Sequence, residues 1–155
     1  MAQVGNALAI ALALVLISAA AHKLYARDRL VFATSRLLRV DAGLALPSLL
    51  AAAVVEGAAA VALVMPQTRT TGAALAIGLW AVYFTALSAA LRRGDARLDC
   101  GCSFGTRGHG IDGFVLLRPV VLLALALIVA VLPQGFDPIA PFAGFALFAA
   151  YLAAG

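Results

Sequence analysis

The feature that most constrains the fold of this chain is a series of five long apolar runs, separated by polar breaks. A helix needs about 20 residues to cross a hydrocarbon core of about 30 Å, and continuous apolar runs favour helices over strands. The chain is 65% hydrophobic and 12% charged, with a mean hydropathy of +1.06, whereas soluble domains are about half apolar and about a quarter charged. The runs lie at about 4–21, 47–65, 72–91, 114–132 and 139–154.

These runs predict one all-α transmembrane domain over residues 1–155, an integral membrane helical bundle of four to five transmembrane helices. Five is the preferred number, and the run at 139–154 is the shortest. The first run also resembles a signal peptide, but it lacks the basic N-terminal region typical of one. We therefore expect it to remain as the first span. Pro47 opens the second run and suits the first turn of a helix.

The segment between the first two runs mixes arginines with apolar residues at about 27–40, in the stretch ARDRLVFATSRLLRV. This pattern is typical of an interfacial helix, whose arginines extend toward the lipid headgroups. A plain basic loop explains the same residues equally well. Both interpretations place the segment at a membrane surface.

The basic residues are distributed unevenly between the two membrane faces. With five spans, ten of the 11 Lys and Arg residues lie on one side, and Arg69 lies on the other. Because cytoplasmic loops are rich in Lys and Arg, the N-terminus is predicted outside and the loop at 92–113 in the cytoplasm. We expect a multi-pass protein of the inner or plasma membrane, with the lipid bilayer as a partner. The net charge of +4 then reflects orientation and lipid contact, and no nucleic-acid partner is expected.

The loop at 92–113 contains both cysteines of the chain, in the stretch RRGDARLDCGCSFGTRGHG. Gly101 removes Cβ crowding between Cys100 and Cys102, so that the backbone can bend until the two sulfurs meet. A disulfide in so small a ring departs from relaxed geometry, which makes it easier to reduce. Arg97 and Arg107 would stabilise the thiolate that attacks disulfides. The pattern predicts a redox-active pair and a candidate thiol–disulfide oxidoreductase.

Two other interpretations of the cysteines stay open. Two thiolates and one or two imidazoles form a legitimate zinc-ligand set, which would be Cys100, Cys102, His109 and His22. Alternatively, the two cysteines have a purely structural role. In the redox interpretation, His109 would instead give a proton to a leaving thiolate.

The stretch CGCSFG, followed by a span that begins FVLLRPVVLLALAL, resembles the methylamine-utilisation MauE family, which is related to DoxX-like membrane proteins. That family has a Cys-Gly-Cys-Phe-Gly motif in a loop before an Arg-led membrane helix. The matching residues are Cys100, Gly101, Cys102, Phe104, Gly105 and Arg118, and Ser103 is an additional residue within the motif. The resemblance implies thiol–disulfide chemistry that matures a disulfide-rich partner alongside a thioredoxin-like protein. Such substrates acquire disulfides outside the cell, whereas the charge distribution places this loop inside.

One cysteine pair carries two electrons and then needs a second reactant to reset it. The chain has no second pair, so the electrons must pass to a quinone, a bound cofactor or another protein. The leading hypothesis is therefore a membrane thiol–disulfide redox protein that exchanges electrons with a thioredoxin-like or substrate protein. The alternative is a non-catalytic anchor or assembly subunit of a larger membrane complex, in which the cysteines form a metal or structural clip.

Glu56 lies near the middle of the second apolar run, where an ionised side chain is costly. Its functional interpretation is a proton acceptor coupled to the thiols, or an anchor for a quinone headgroup. Its structural interpretation is a carboxyl group that is hydrogen-bonded to a neighbouring helix. The candidate partners on the other spans are Ser18, Tyr83, Thr85 and Ser88. Lys23, at the end of the first run, is expected to extend into the interface.

Overall fold

The computed structural model describes residues 2–94, 116–132 and 140–153, and within these ranges the chain is helical and contains no strand. The helices are α1 (Ala2–Tyr25), α2 (Arg27–Leu38), α3 (Ala42–Val64), α4 (Arg69–Arg92), α5 (Leu117–Val131) and α6 (Ala140–Ala153). A short 3₁₀ turn, Pro66–Thr68, joins α3 to α4. The predicted all-α membrane bundle is confirmed.

Three helical segments, Gln3–Tyr25, Gly43–Val64 and Pro66–Arg92, are long and apolar enough to cross a membrane. The two other apolar helices are shorter, since α5 has 15 residues and α6 has 14. At a rise of about 1.5 Å per residue they extend for roughly 21–23 Å, less than the thickness of a typical hydrocarbon core. Crossing by these two short helices stays a prediction.

Helix α1 packs against α3, α5 and α6, and α4 packs between α3 and α5. The core at these contacts combines large side chains such as Leu12, Leu16 and Trp80 with many buried alanines. Small residues let the helix backbones approach closely, as is common between membrane helices. Among the described glycines, the tightest packing is at Gly72, where an added Cβ would lie 2.6 Å from the backbone nitrogen of Leu63.

The segment after α1 forms the helix α2, which agrees with the helical interpretation rather than the plain loop. Arg39 ends α2 in the left-handed conformation, with a φ of 55°. Helix α3 then begins at Ala42, so the prediction that Pro47 marks a helix start is wrong. Pro47 is the sixth residue of α3, where its missing N–H removes one hydrogen bond close to the helix start. The five residues at 42–46 add a little more than one helical turn before Pro47.

The ends of α2, α4 and α5 meet at one end of the bundle. The Nη2 atom of Arg93 donates a hydrogen bond of 3.0 Å to the carbonyl oxygen of Leu37, which ties the end of α4 to α2. Leu116, directly before α5, packs against Leu87 and Ala90 of α4. Seven of the nine Lys and Arg residues in the described ranges belong to α2, to the end of α4 or to the start of α5, or directly follow α2 or α4. Arg69 lies at the opposite end of α4.

Candidate functional site

The interior of the bundle contains an ion pair between α1 and α3. The Nζ atom of Lys23 lies 2.6 Å from Oε1 of Glu56. Glu56 is 1% exposed and Lys23 is 8% exposed, so both groups are shielded from the surroundings of the bundle. Tyr83 on α4 donates a second hydrogen bond of 2.6 Å to the same Oε1 atom. We refer to these three residues as the Lys23–Glu56–Tyr83 cluster.

The local chemistry explains why the three side chains come together. A carboxylate near the middle of a membrane helix needs donors, and the ammonium and phenol groups supply them from two other helices. The Lys23 ammonium also lies 5.2 Å from the centroid of the Tyr83 ring, which adds a cation–π attraction. The cluster thereby joins α1, α3 and α4 through one carboxyl oxygen.

The structure shows which of the candidate partners of Glu56 forms a hydrogen bond with it. Tyr83 bonds to Glu56, whereas Ser18 and Thr85 donate to carbonyl oxygens of their own helices, at 2.8 Å and 2.9 Å. The expectation that Lys23 extends into the interface is wrong. Burial of its ammonium group is compensated by the Glu56 carboxylate and the Tyr83 ring, so the side chain lies inside the bundle.

One acceptor atom in the cluster remains available. The Oε2 atom of Glu56 is buried and accepts no hydrogen bond from residues 2–94, 116–132 or 140–153. The Lys23 ammonium has three N–H donors, one of which points to Oε1 of Glu56. Carboxyl, ammonium and phenol groups all exchange protons, so the cluster can hold or pass on a proton and can bind a further polar group.

An apolar groove of about 540 Å³ lies between α2, α3 and α4, and Lys23 and Tyr83 form part of its wall. Most of the remaining lining is aliphatic or alanine. Representative lining residues are Leu37 and Leu38 on α2, Leu49 and Val55 on α3, and Leu79 and Leu87 on α4. Leu75, Gly78 and Val82 line the groove and are themselves exposed, so the groove opens sideways between the helices.

The predicted thiol site lies outside the described residues. Six predicted site residues lie outside the described residues: Arg97, Cys100, Gly101, Cys102, Arg107 and His109. Their roles stay predictions, as does the metal alternative that combines the cysteines with His109 and His22. His22 is partly buried on α1 directly before Lys23, and Arg118 is partly buried in the first turn of α5. Within the described ranges, no three His, Cys, Asp or Glu residues form a group that could hold a metal ion.

A second buried polar contact lies at the opposite end of the bundle and was not predicted. Arg69 donates from Nη1 to Oδ1 of Asn6, and from Nε to the carbonyl oxygen of Leu63 at 3.2 Å. Both side chains are buried. This contact joins the start of α4 to the start of α1 and the end of α3. The sequence contained one signal for this contact. Arg69 is the single basic residue predicted on its side of the membrane, and a charge inside or next to the membrane requires partners.

The fold and these contacts define the class of protein: a multi-helix membrane protein with a buried ion pair and a lipid-facing groove. A model of the family described as "Methylamine utilisation protein MauE" matches residues 1–133. The chain therefore belongs to the MauE family, and the resemblance inferred from the CGCSFG stretch is confirmed.

Two relatives carry the name "Methylamine utilization protein MauE". The one from Paracoccus denitrificans is 38% identical over 77 residues, which are 50% of this chain and 41% of that protein. The one from Methylophilus methylotrophus is 30% identical over 122 residues, which are 78% of this chain and 64% of that protein. The chain thus spans less than two thirds of the length of either relative. No solved structure matches the chain.

Proposed function

We propose that this protein is a membrane thiol–disulfide redox protein whose Cys100–Cys102 pair exchanges electrons with a thioredoxin-like or substrate protein. The observation that carries the proposal is a Cys-Gly-Cys pair, flanked by arginines, in a member of the MauE family. The relatives are named for methylamine utilisation. We extend that role to this chain, as maturation of a disulfide-containing partner in methylamine utilisation.

The exchange proceeds in two balanced steps. One cysteine thiolate attacks a partner's disulfide, forming a mixed disulfide and releasing a partner thiolate that takes up a proton, for which His109 is the proposed source. The second cysteine then attacks the mixed disulfide, which releases the other partner sulfur as a thiol and leaves Cys100–Cys102 as a disulfide. The partner gains two electrons and the pair loses two. With a partner dithiol the same steps run in reverse and oxidise the partner.

Single-cysteine trapping tests this proposal. In Cys100→Ser and in Cys102→Ser, the mixed disulfide has no resolving thiol, so we expect a covalent partner to accumulate in at least one of the two variants. Mass spectrometry of the reductant-sensitive adduct identifies the partner. The matched control is the double variant Cys100→Ser/Cys102→Ser, which retains every other residue of the loop. The absence of any adduct in both single variants would refute the exchange.

The anchor or assembly role is the rival outcome of the same experiment. If the double variant still supports maturation of the partner while the complex stays assembled, the thiols have no redox role. Metal analysis of the purified protein separates the two kinds of clip. Zinc bound in proportion to the protein, and lost in the double variant, would establish the metal clip instead.

We further propose that the N-terminus lies outside the cell and that the cysteine loop faces the cytoplasm of an inner or plasma membrane. The gathering of most basic residues at the end of the bundle from which the loop emerges supports this orientation. A membrane-impermeant maleimide applied to intact cells should leave Cys100 and Cys102 unlabelled until the membrane is opened. Ready labelling in sealed cells would reverse the orientation.

A further inference from the structure

We propose that the apolar groove between α2, α3 and α4 binds a lipid-soluble quinone, which accepts the electron pair that the cysteines collect. The inference rests on the proposed thiol function for its redox step, whereas the binding site itself rests on described residues alone. In the direction that oxidises a partner dithiol, the Cys100–Cys102 pair ends as a dithiol and needs an electron acceptor to reset it. The groove offers a place for an acceptor that is dissolved in the membrane.

The size and exposure of the groove suit an amphiphile that enters from the lipid. A volume of about 540 Å³ lies within the range of about 300–1,000 Å³ that is typical of small-molecule sites. Leu75, Gly78 and Val82 form an exposed apolar rim along α4. A flat ring can therefore enter between the helices while an isoprenoid tail remains in the hydrocarbon phase.

The polar wall of the groove suits a neutral headgroup with hydrogen-bond acceptors. Lys23 and Tyr83 line the groove, and Lys23 has N–H donors beyond the one that it gives to Glu56. Quinone carbonyl oxygens are acceptors, so they match these donors. Among the described residues that line the groove, Lys23 is the one charged residue, and its charge is already balanced by Glu56. The described lining thus offers an anionic phosphate headgroup no positive charge beyond this balanced ammonium, which favours a quinone over a phospholipid.

The groove lies beside both ends of the cysteine loop. Leu37 and Leu87 line the groove, and Leu87 packs against Leu116, where the chain returns from the loop. At the other end of the loop, Arg93 is bonded to the carbonyl oxygen of Leu37. The described residues on either side of the loop, Arg93 and Leu116, therefore both contact residues that line the groove.

The redox step balances in atoms and charge. The Cys100–Cys102 dithiol is oxidised to a disulfide and releases two electrons and two protons. The quinone takes up the two electrons and two protons and becomes the quinol, which leaves through the lipid-facing opening. Glu56, with its available Oε2 atom, and the Lys23 ammonium pass protons toward the headgroup.

Binding is tested on the full chain with both cysteines replaced, Cys100→Ser/Cys102→Ser. The cysteines then cannot reduce the quinone while its affinity is measured. The probe is a decyl-substituted benzoquinone, and the readout is quenching of Trp80, the single tryptophan of the chain. We expect saturable binding at one site. Gly78→Leu, which fills the groove, should weaken binding about tenfold or more, equivalent to about 1.4 kcal/mol. Gly57→Leu is the matched control, since neither glycine has an atom within 4 Å of an added Cβ and Gly57 does not line the groove.

Three results would overturn the quinone site. The first is the absence of saturable Trp80 quenching, and the second is equal quinone affinity in Gly78→Leu and Gly57→Leu. The third is native mass spectrometry that detects a bound phospholipid which the decyl-substituted benzoquinone does not displace. Failure of the site is distinguishable from failure of the thiol function, because mixed-disulfide trapping needs no quinone. Trapping with no quinone binding would remove the groove proposal alone, and binding with no trapping would leave a quinone site without the thiol exchange.

Discussion

The Lys23–Glu56 pair makes the sharpest stability prediction. Lys23→Met leaves the Glu56 carboxylate buried with Tyr83 as its one remaining donor in the described part of the chain. Removal of one partner from a buried ion pair destabilises a protein by about 3–5 kcal/mol. Glu56→Gln should destabilise the protein less, because an amide oxygen can still accept hydrogen bonds from Lys23 and Tyr83. The double variant Lys23→Met/Glu56→Gln removes both charges and should lie within about 1 kcal/mol of Glu56→Gln alone.

The assay is equilibrium unfolding of the four proteins by SDS in mixed detergent micelles, arranged as a double-mutant cycle. Because the double variant should lie within about 1 kcal/mol of Glu56→Gln, the coupling free energy should match the loss in Lys23→Met, about 3–5 kcal/mol, to within about 1 kcal/mol. Ala58→Ser, on the lipid-exposed side of α3, is a control for a small polar change that does not touch the pair and should be nearly neutral. Additive effects of the two single substitutions would refute the inference that the two charges stabilise each other inside the bundle.

Two further predictions concern packing and the opposite end of the bundle. Gly72→Ala should lower the free energy of unfolding by about 1–3 kcal/mol, since its Cβ would lie 2.6 Å from the Leu63 nitrogen. Gly78→Ala, whose Cβ meets no atom within 4 Å, should be neutral, and equal losses in the two variants would contradict the packing. Arg69→Lys should lower stability by about 1–3 kcal/mol, because one ammonium cannot replace both guanidinium contacts. An unchanged thermal midpoint in detergent would contradict the role of the contact with Asn6.

The apolar runs predicted the helices well because a membrane leaves the backbone few options. Each run becomes a helix whose bounds follow the run to within a few residues, except that α3 begins upstream of Pro47. The start of α3 was missed because Pro47 was expected in the first turn of the helix, whereas it is the sixth residue. Asp41, in an extended conformation, and the left-handed Arg39 form the actual boundary.

The polar contacts inside the bundle were harder to predict. An acid in the middle of a span signals that it needs a donor, and Tyr83 was among the candidates for that reason. Lys23 was missed because a lysine near a helix end normally reaches the interface, and the sequence does not show that Glu56 and Tyr83 lie within reach of its ammonium group. The groove arises from the arrangement of three helices, so no local pattern encodes it. Chemistry at the cysteines, in contrast, was inferred from the local motif alone.

The central claim is that Cys100 and Cys102 alternate between a dithiol and a disulfide. The most direct measurement is the redox state of the pair in native membranes, obtained by acid quenching followed by alkylation with a mass-tagged maleimide. The account predicts that dithiol and disulfide forms are both present, and that the dithiol accumulates in Gly78→Leu but not in Gly57→Leu. A pair that stays in one state in all three proteins, and under added oxidant and reductant alike, would contradict it.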